Sequence, residues 1–343
     1  MMEEITAKLK QNKPEITESS LKAYTLNLRK LHQRLHGTKD FDGMEWLQDH
    51  DAVMKNIEAN CGSYLTSRNY LNAVIVLLLN HPQHEIALKA YQQRRDELNS
   101  KYTQIQQTKQ PTERQSQNWV SVAQIQELID ELEQEVKIIT ASAKDQRTHR
   151  DMQTVQDHFM ITFWLHYPVR NDLQHTRIIT RRAFNALPQE QKDGHNFVIT
   201  GIPIEFSVGS YKTRKRYGVK KIQIDKKPVM KALRDWMKVS PNPEYVLVNV
   251  KNGTPMTSLQ ITQNLTRVFK TRFNKSVGTT LLRHIVLTET FGKQLQDMEK
   301  MADIMGHDVA TAHSVYIKVE PDDINIEAHD QAETPHVKSP LLT

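Results

Sequence analysis

The chain has 343 residues, 38% hydrophobic and 25% charged. This describes a globular protein long enough for two domains, and no apolar run reaches the roughly 18 residues of a membrane-spanning helix. With 46 Lys and Arg against 40 Asp and Glu, the net charge of +6 is mildly basic; the single Cys61 excludes an internal disulfide framework and a Cys-rich zinc site, and fits a reducing compartment.

The opening stretch MMEEITAKLKQNKPE lacks the apolar segment of a secretory leader, so an intracellular protein is expected. Over residues 17–36, Leu21, Tyr24, Leu28, Leu31 and Leu35 recur at helical spacing, with Ser19 or Ser20 as the cap. His32 and His36 are one turn apart, a metal-ligand spacing, but no third ligand accompanies them and a solvated or DNA-facing helix is expected. Further helices are predicted near 44–59, from about Ser67 to before Pro82, and over 84–101; the run LNAVIVLLL (71–79) makes the middle one a buried helix. Residues 1–101 thus read as a helical N-terminal domain. The polar, Gln-rich stretch 102–119, interrupted by Pro111, reads as a linker.

From Val120 the pattern changes. Ser121 caps an amphipathic helix, and a second helix over 151–167 carries Phe159 and Trp164 on its apolar face and stops at Pro168. Asn171 is placed to cap a short helix over 172–179. Strand-like pieces at 196–201, 202–208 and 218–225 predict a small antiparallel sheet. Between the last two lies YKTRKRY, an exposed basic turn with Lys212, Arg214, Lys215 and Arg216, which suits a phosphate backbone. Helices resume at Lys227. The expected fold class is mainly α with a small antiparallel sheet: an α+β domain over 120–318, then an acidic tail at 319–343.

The segment MADIMGHDVATAHSVYIK (301–318) holds the most specific pattern. Gly306 can end a helix in the left-handed conformation, His307 follows it, Asp308 can cap the next turn, and Tyr316 comes nine residues after His307. Arg283 in LLRH precedes His307 by 24 residues, with Lys212 and Arg170 further upstream. Taken singly, each has a bland reading: a surface arginine, a solvated lysine, a half-buried tyrosine. In this order and spacing, Arg170, Lys212, Arg283, His307 and Tyr316 resemble the active site of the tyrosine recombinases, the integrase family of phages and mobile elements. The YKT hairpin and LLRHIV are most similar to integrases of large DNA viruses, virophages and related elements.

The resemblance covers about 120–318, and the helical unit resembles that family's core-binding domain. It implies double-stranded DNA as partner, a homotetramer on DNA, and site-specific cutting and rejoining through a 3′-phosphotyrosyl link, without metal, ATP or another cofactor. Tyr316 would be the nucleophile, Arg170 and Arg283 the phosphate clamp, His307 a donor to the phosphate, and Lys212 the general acid, with Lys215, three residues on, the foremost alternative among its basic neighbours. One position departs: Thr280 stands three residues before Arg283, where the family has a histidine. His284 is adjacent but points roughly 100° away on a helix. Two rivals share these residues: a type IB topoisomerase, and a DNA-binding protein that kept the fold and lost catalysis, for which Thr280 is the best support. No Walker, GxGxxG or GxSxG motif offers another chemistry.

Overall fold

The computed structural model describes residues 2–41 and 43–316. The expected acidic tail at 319–343 lies outside the described residues. The chain divides into two compact units, Met1–Thr112 and Glu113–Thr343, and the division falls within the stretch read as a linker.

The first unit is helical: α1 (Met2–Asn12), α2 (Glu18–His36), α3 (His50–Asn60), α4 (Tyr64–Leu78) and α5 (Glu85–Gln107). The first of these was not expected from sequence; it buries Ile5 and Leu9, one turn apart. The cap of α2 is Thr17 rather than Ser19 or Ser20, its hydroxyl accepting from the Ser20 amide at 3.2 Å. Ser63 starts α4 ahead of the expected Ser67, and Ala73 to Leu78 are all buried, as an all-apolar run requires. Its neighbour α5 continues through 102–107, so that part of the supposed linker is helix. His32 and His36 stack at 4.6 Å within a cluster that includes Phe41 and Trp46, and His32 Nδ1 lies 2.8 Å from the Thr38 carbonyl. His32 is buried in this cluster, whereas His36 stays exposed at its edge.

The second unit begins with α6 (Glu113–Gln117), α7 (Val122–Ala141) and α8 (His149–His166). Lys275 Nζ donates to the Gln117 carbonyl at 2.5 Å, and the Ser276 amide to Asn118 Oδ1 at 2.6 Å. Residues 113–119 are therefore fastened to this unit rather than spanning free. Ser121 closes a capping box with Gln124 at the start of α7. The core is built around α8, where every residue from Val155 to Trp164 is buried. Of the four polar residues among them, Gln156, Asp157, His158 and Thr162, the first is satisfied by the Val248 backbone in both directions, at 3.0 and 2.9 Å.

Next come β1 (Arg177–Thr180), α9 (Arg181–Asn185), α10 (Gln189–Gly194), β2 (Asn196–Thr200), β3 (Ile204–Val208), α11 (Arg214–Tyr217) and β4 (Lys220–Ile224). The sheet order is β1-β2-β3-β4, with β2, β3 and β4 antiparallel and β1 parallel to β2. The expectation of a purely antiparallel sheet and of a helix over 172–179 is corrected here. His175 adopts φ 53°, which breaks a helix, and the β-branched Ile178 and Ile179 then pair with Val198 and Ile199. The mainly α fold with a small sheet stands. Last come α12 (Lys227–Val239), α13 (Ser258–Phe273), the 26-residue α14 (Thr279–Ile304), α15 (Val309–Thr311) and a π-helical turn over Ala312–Tyr316. No described helix is long and apolar enough to cross a membrane.

Candidate active site

Arg170 stands just beyond α8, where Pro168 cannot continue the helix. The loop is held on several sides. Trp164 Nε1 donates to the Val169 carbonyl at 3.2 Å, and Asn171 Nδ2 donates to the Ser258 carbonyl and Thr262 Oγ1 at 2.5 and 2.7 Å. Asn196, buried at the start of β2, donates to the carbonyls of Asp172 and Ser210 at 2.7 and 3.2 Å and accepts from the Ser210 amide at 2.8 Å. One amide side chain thus ties the Arg170 loop to the turn that carries Lys212. Before that turn, a Cβ on Gly209 would lie 2.6–2.7 Å from the carbonyl oxygens of Asp193, His195 and Lys192, so the chain can pass there only as glycine.

Arg283 comes from the first turns of α14, yet it lines the same cleft of about 320 Å³ as Arg170, Asp172, Thr213 and Lys220. Arg170 Nη1 donates to Thr213 Oγ1 at 3.4 Å. Burial, and then the neighbouring Arg170, hold the Arg283 guanidinium below its ordinary value, while Asp172 opposes them; the group still carries its charge at neutral pH. Burial pushes the Asp172 carboxyl up, against the pull of Arg170, Lys220, Arg283 and Lys212. Three cations, Arg170, Lys220 and Arg283, therefore share the cleft with one carboxylate. Arg283 Nε is buried without a hydrogen-bond partner. A donor left in that state costs about 1–3 kcal/mol.

Lys212 itself is exposed on the turn. The sequence pattern singled it out, but Lys220 is the lysine that lines the cleft, with its Nζ 4.6 Å from the Tyr211 ring centroid. Lys220 opens β4 opposite Val208, a register that only strand pairing reveals. Asp172 was also not singled out from sequence, although it is two residues from Arg170.

His307 and Tyr316 form a second group. Gly306, at φ 70°, ends α14, and the His307 amide bonds back to the Ala302 carbonyl at 2.9 Å. Asp308 caps the next turn through the Thr311 amide at 2.6 Å. The chain then brings Tyr316 Oη to 3.1 Å from His307 Nε2, with the rings 5.4 Å apart. The tyrosine is 52% exposed, so its hydroxyl is open to a partner.

The two groups do not meet within one chain. No hydrogen bond, ion pair or ring contact joins them among the described residues. The cause is α14, which runs unbroken through both Arg283 and Ala302. At about 1.5 Å per residue, those two positions are roughly 28 Å apart along its axis, more than the Arg283 and Tyr316 side chains can span. Thr280 is exposed on the first turn of α14, and His284 is exposed next to Arg283. Comparison with protein-family models, with curated proteins and with solved structures returns no match to this chain.

Proposed function

We propose that this chain is a tyrosine recombinase: it cuts duplex DNA, holds the broken end on Tyr316 and rejoins it, acting as a tetramer on two duplexes. The observation that carries this reading is the pair Arg170 and Arg283 on one cleft. Two permanently charged, planar forks match the non-bridging oxygens of a phosphodiester. They would stabilise the charge that builds there during attack, each to the extent of about 3 kcal/mol by analogy with oxyanion-hole donors.

In this mechanism the Tyr316 phenol gives its proton to His307 Nε2, its hydrogen-bond neighbour. A phenol with a pKa near 10 needs such a base at neutral pH, and His307 supplies what Thr280 does not. The phenolate oxygen attacks phosphorus, the bond from phosphorus to the 5′ oxygen breaks, and a lysine ammonium protonates that leaving oxygen. The protonated imidazole then donates to the phosphate. Lys212 and Lys220 are the two candidates for the acid. Rejoining is the reverse, with the 5′ hydroxyl attacking and the phenol leaving, so no ATP is consumed.

A second reading is a DNA-binding protein without catalysis. The distance between Tyr316 and the arginines in one chain favours it. The test is a nicked suicide duplex incubated with the purified protein and with Tyr316→Phe. A covalent protein–DNA band with the parent chain, absent from the variant, supports the recombinase; DNA binding with no covalent band from either supports the second reading.

A further inference from the structure

Tyr217, the last residue of α11, lines the same cleft as Arg170, Arg283, Thr213 and Lys220, and it is 59% exposed. Neither cutting nor rejoining uses its phenol. Its place is nonetheless fixed from two sides. The Tyr217 amide donates to the Thr213 carbonyl at 3.2 Å, and the Thr213 hydroxyl accepts from Arg170, so one residue sets this ring against the arginine pair. On the other side Gly218, at φ 65°, turns the chain toward β4, and the Tyr211 hydroxyl donates to the Gly218 carbonyl at 2.7 Å. The Arg216 guanidinium lies 5.2 Å from the centroid of the Tyr217 ring and covers one face. With more than half of the residue exposed, the other face is open to a ligand.

We infer that this cleft is a pocket for one unpaired nucleotide, with its phosphate on Arg170 and Arg283 and its base stacked on Tyr217. This rests on the recombinase reading above, which brings a DNA phosphate to the two arginines. A pair of guanidinium groups reads only the backbone; a tyrosine face beside it adds a surface for a base, and every base has a π-face to offer. The cavity of about 320 Å³ is at the small end of ligand pockets and suits one nucleotide, not a duplex. A base inside an intact duplex is stacked on both sides by its neighbours, so the occupant has to be unpaired. Strand exchange produces such a nucleotide, because a cut strand leaves its own duplex before it joins another. Asp172 is the one carboxylate lining the cleft, against three cations, and the turn from Tyr211 to Lys221 contains no acid to repel the strand.

The experiment compares two single-stranded probes of equal length and charge: oligothymidylate, and the same backbone carrying tetrahydrofuran abasic residues in place of every thymidine. Fluorescence anisotropy gives the affinity of the full chain for each. The parent chain binds the base-bearing probe more tightly by about 5- to 150-fold, the worth of one stacked base. Tyr217→Ala, a change at an exposed position that leaves the circular dichroism spectrum unaltered, loses that factor and binds the abasic probe as the parent does. Tyr217→Phe keeps the factor, because the ring and not the hydroxyl carries the stacking. Arg283→Ala weakens binding of both probes alike. Equal binding of the two probes by the parent chain, an undiminished preference in Tyr217→Ala, a preference lost in Tyr217→Phe, or full affinity for both probes in Arg283→Ala would each overturn the pocket. None of these measurements needs cleavage, so the recombinase reading is scored apart, by adduct on the suicide duplex. Adduct without a base preference overturns the pocket and leaves the recombinase; a base preference without adduct keeps the pocket and favours the non-catalytic DNA-binding protein.

Discussion

Asn196 Nδ2 lies 2.7 Å from the Asp172 carbonyl, and through this contact a strand residue sets the position of the Arg170 loop. The same side chain exchanges hydrogen bonds with Ser210 on the basic turn, so both halves of the cationic cleft depend on one buried amide. Asn196→Ala leaves the Asp172 carbonyl and both polar groups of Ser210 without that partner. The expected cost is about 2–4 kcal/mol, several buried hydrogen bonds lost at once. DNA cleavage should fall further than stability alone explains, because Arg170 and the turn then move independently. Denaturant melts and single-turnover adduct formation check this together; a variant that melts like the parent and cleaves normally would mean that Asn196 does not hold the two halves of the cleft together.

His307 is assigned the phenol proton. His307→Ala should leave binding to duplex DNA intact and slow adduct formation by about 10²–10⁴, the usual worth of a positioned acid or base. A variant that binds DNA and forms adduct at the parent rate would remove His307 from the chemistry.

The lysine that protonates the leaving oxygen can be told apart by substitution. Lys220 lines the cleft and Lys212, on the turn before α11, does not, although both are exposed. Lys220→Ala also removes the cation over the Tyr211 ring, a contact of about 0.5–1 kcal/mol at an exposed site. On a substrate with a 5′-bridging phosphorothiolate, whose sulfur leaves without a proton, the variant lacking the true acid regains its rate and the other does not. Rescue of Lys212→Ala assigns the acid to the turn; rescue of Lys220→Ala assigns it to β4.

How much of this could be read beforehand differed from element to element. Ser121 and Pro168 act on their own neighbours, through a cap and a missing amide, and both marked their helices correctly. The strand β2 is a short apolar run, β3 and β4 alternate in sequence, and all three were legible because these signals are local. The strand β1 was not, because its partner β2 lies about twenty residues on and a parallel pair leaves no hairpin signal between them. For the site, the order of Arg170, Arg283, His307 and Tyr316 was visible in the sequence, but their distances were not. The 24 residues from Arg283 to His307 fit a broken helix that folds back or a straight one that does not. Gly292, in the middle, permits either, and the structure keeps the helix continuous. That outcome turns one predicted site into two groups.

Buried in α8, His158 makes the stability of this protein sensitive to acid. The residue is 3% exposed, and its Nδ1 has no hydrogen-bond partner. Burial lowers its pKa to about 4, with Lys231 adding to the effect and Glu133, Asp235 and Asp130 opposing it. The folded value is therefore below the unfolded value of 6.5. Between those two values the unfolded chain takes up a proton that the folded chain refuses, so stability is complete above pH 6.5 and falls as the pH drops toward 4. At about 1.4 kcal/mol per pH unit across that window, the loss from this one group is roughly 3 kcal/mol. His158→Phe has no such proton to take up, and its melting temperature should decline less between pH 7.5 and pH 4.5 than that of the parent chain. Parallel declines would mean that the imidazole is already charged, or solvated, in the folded state.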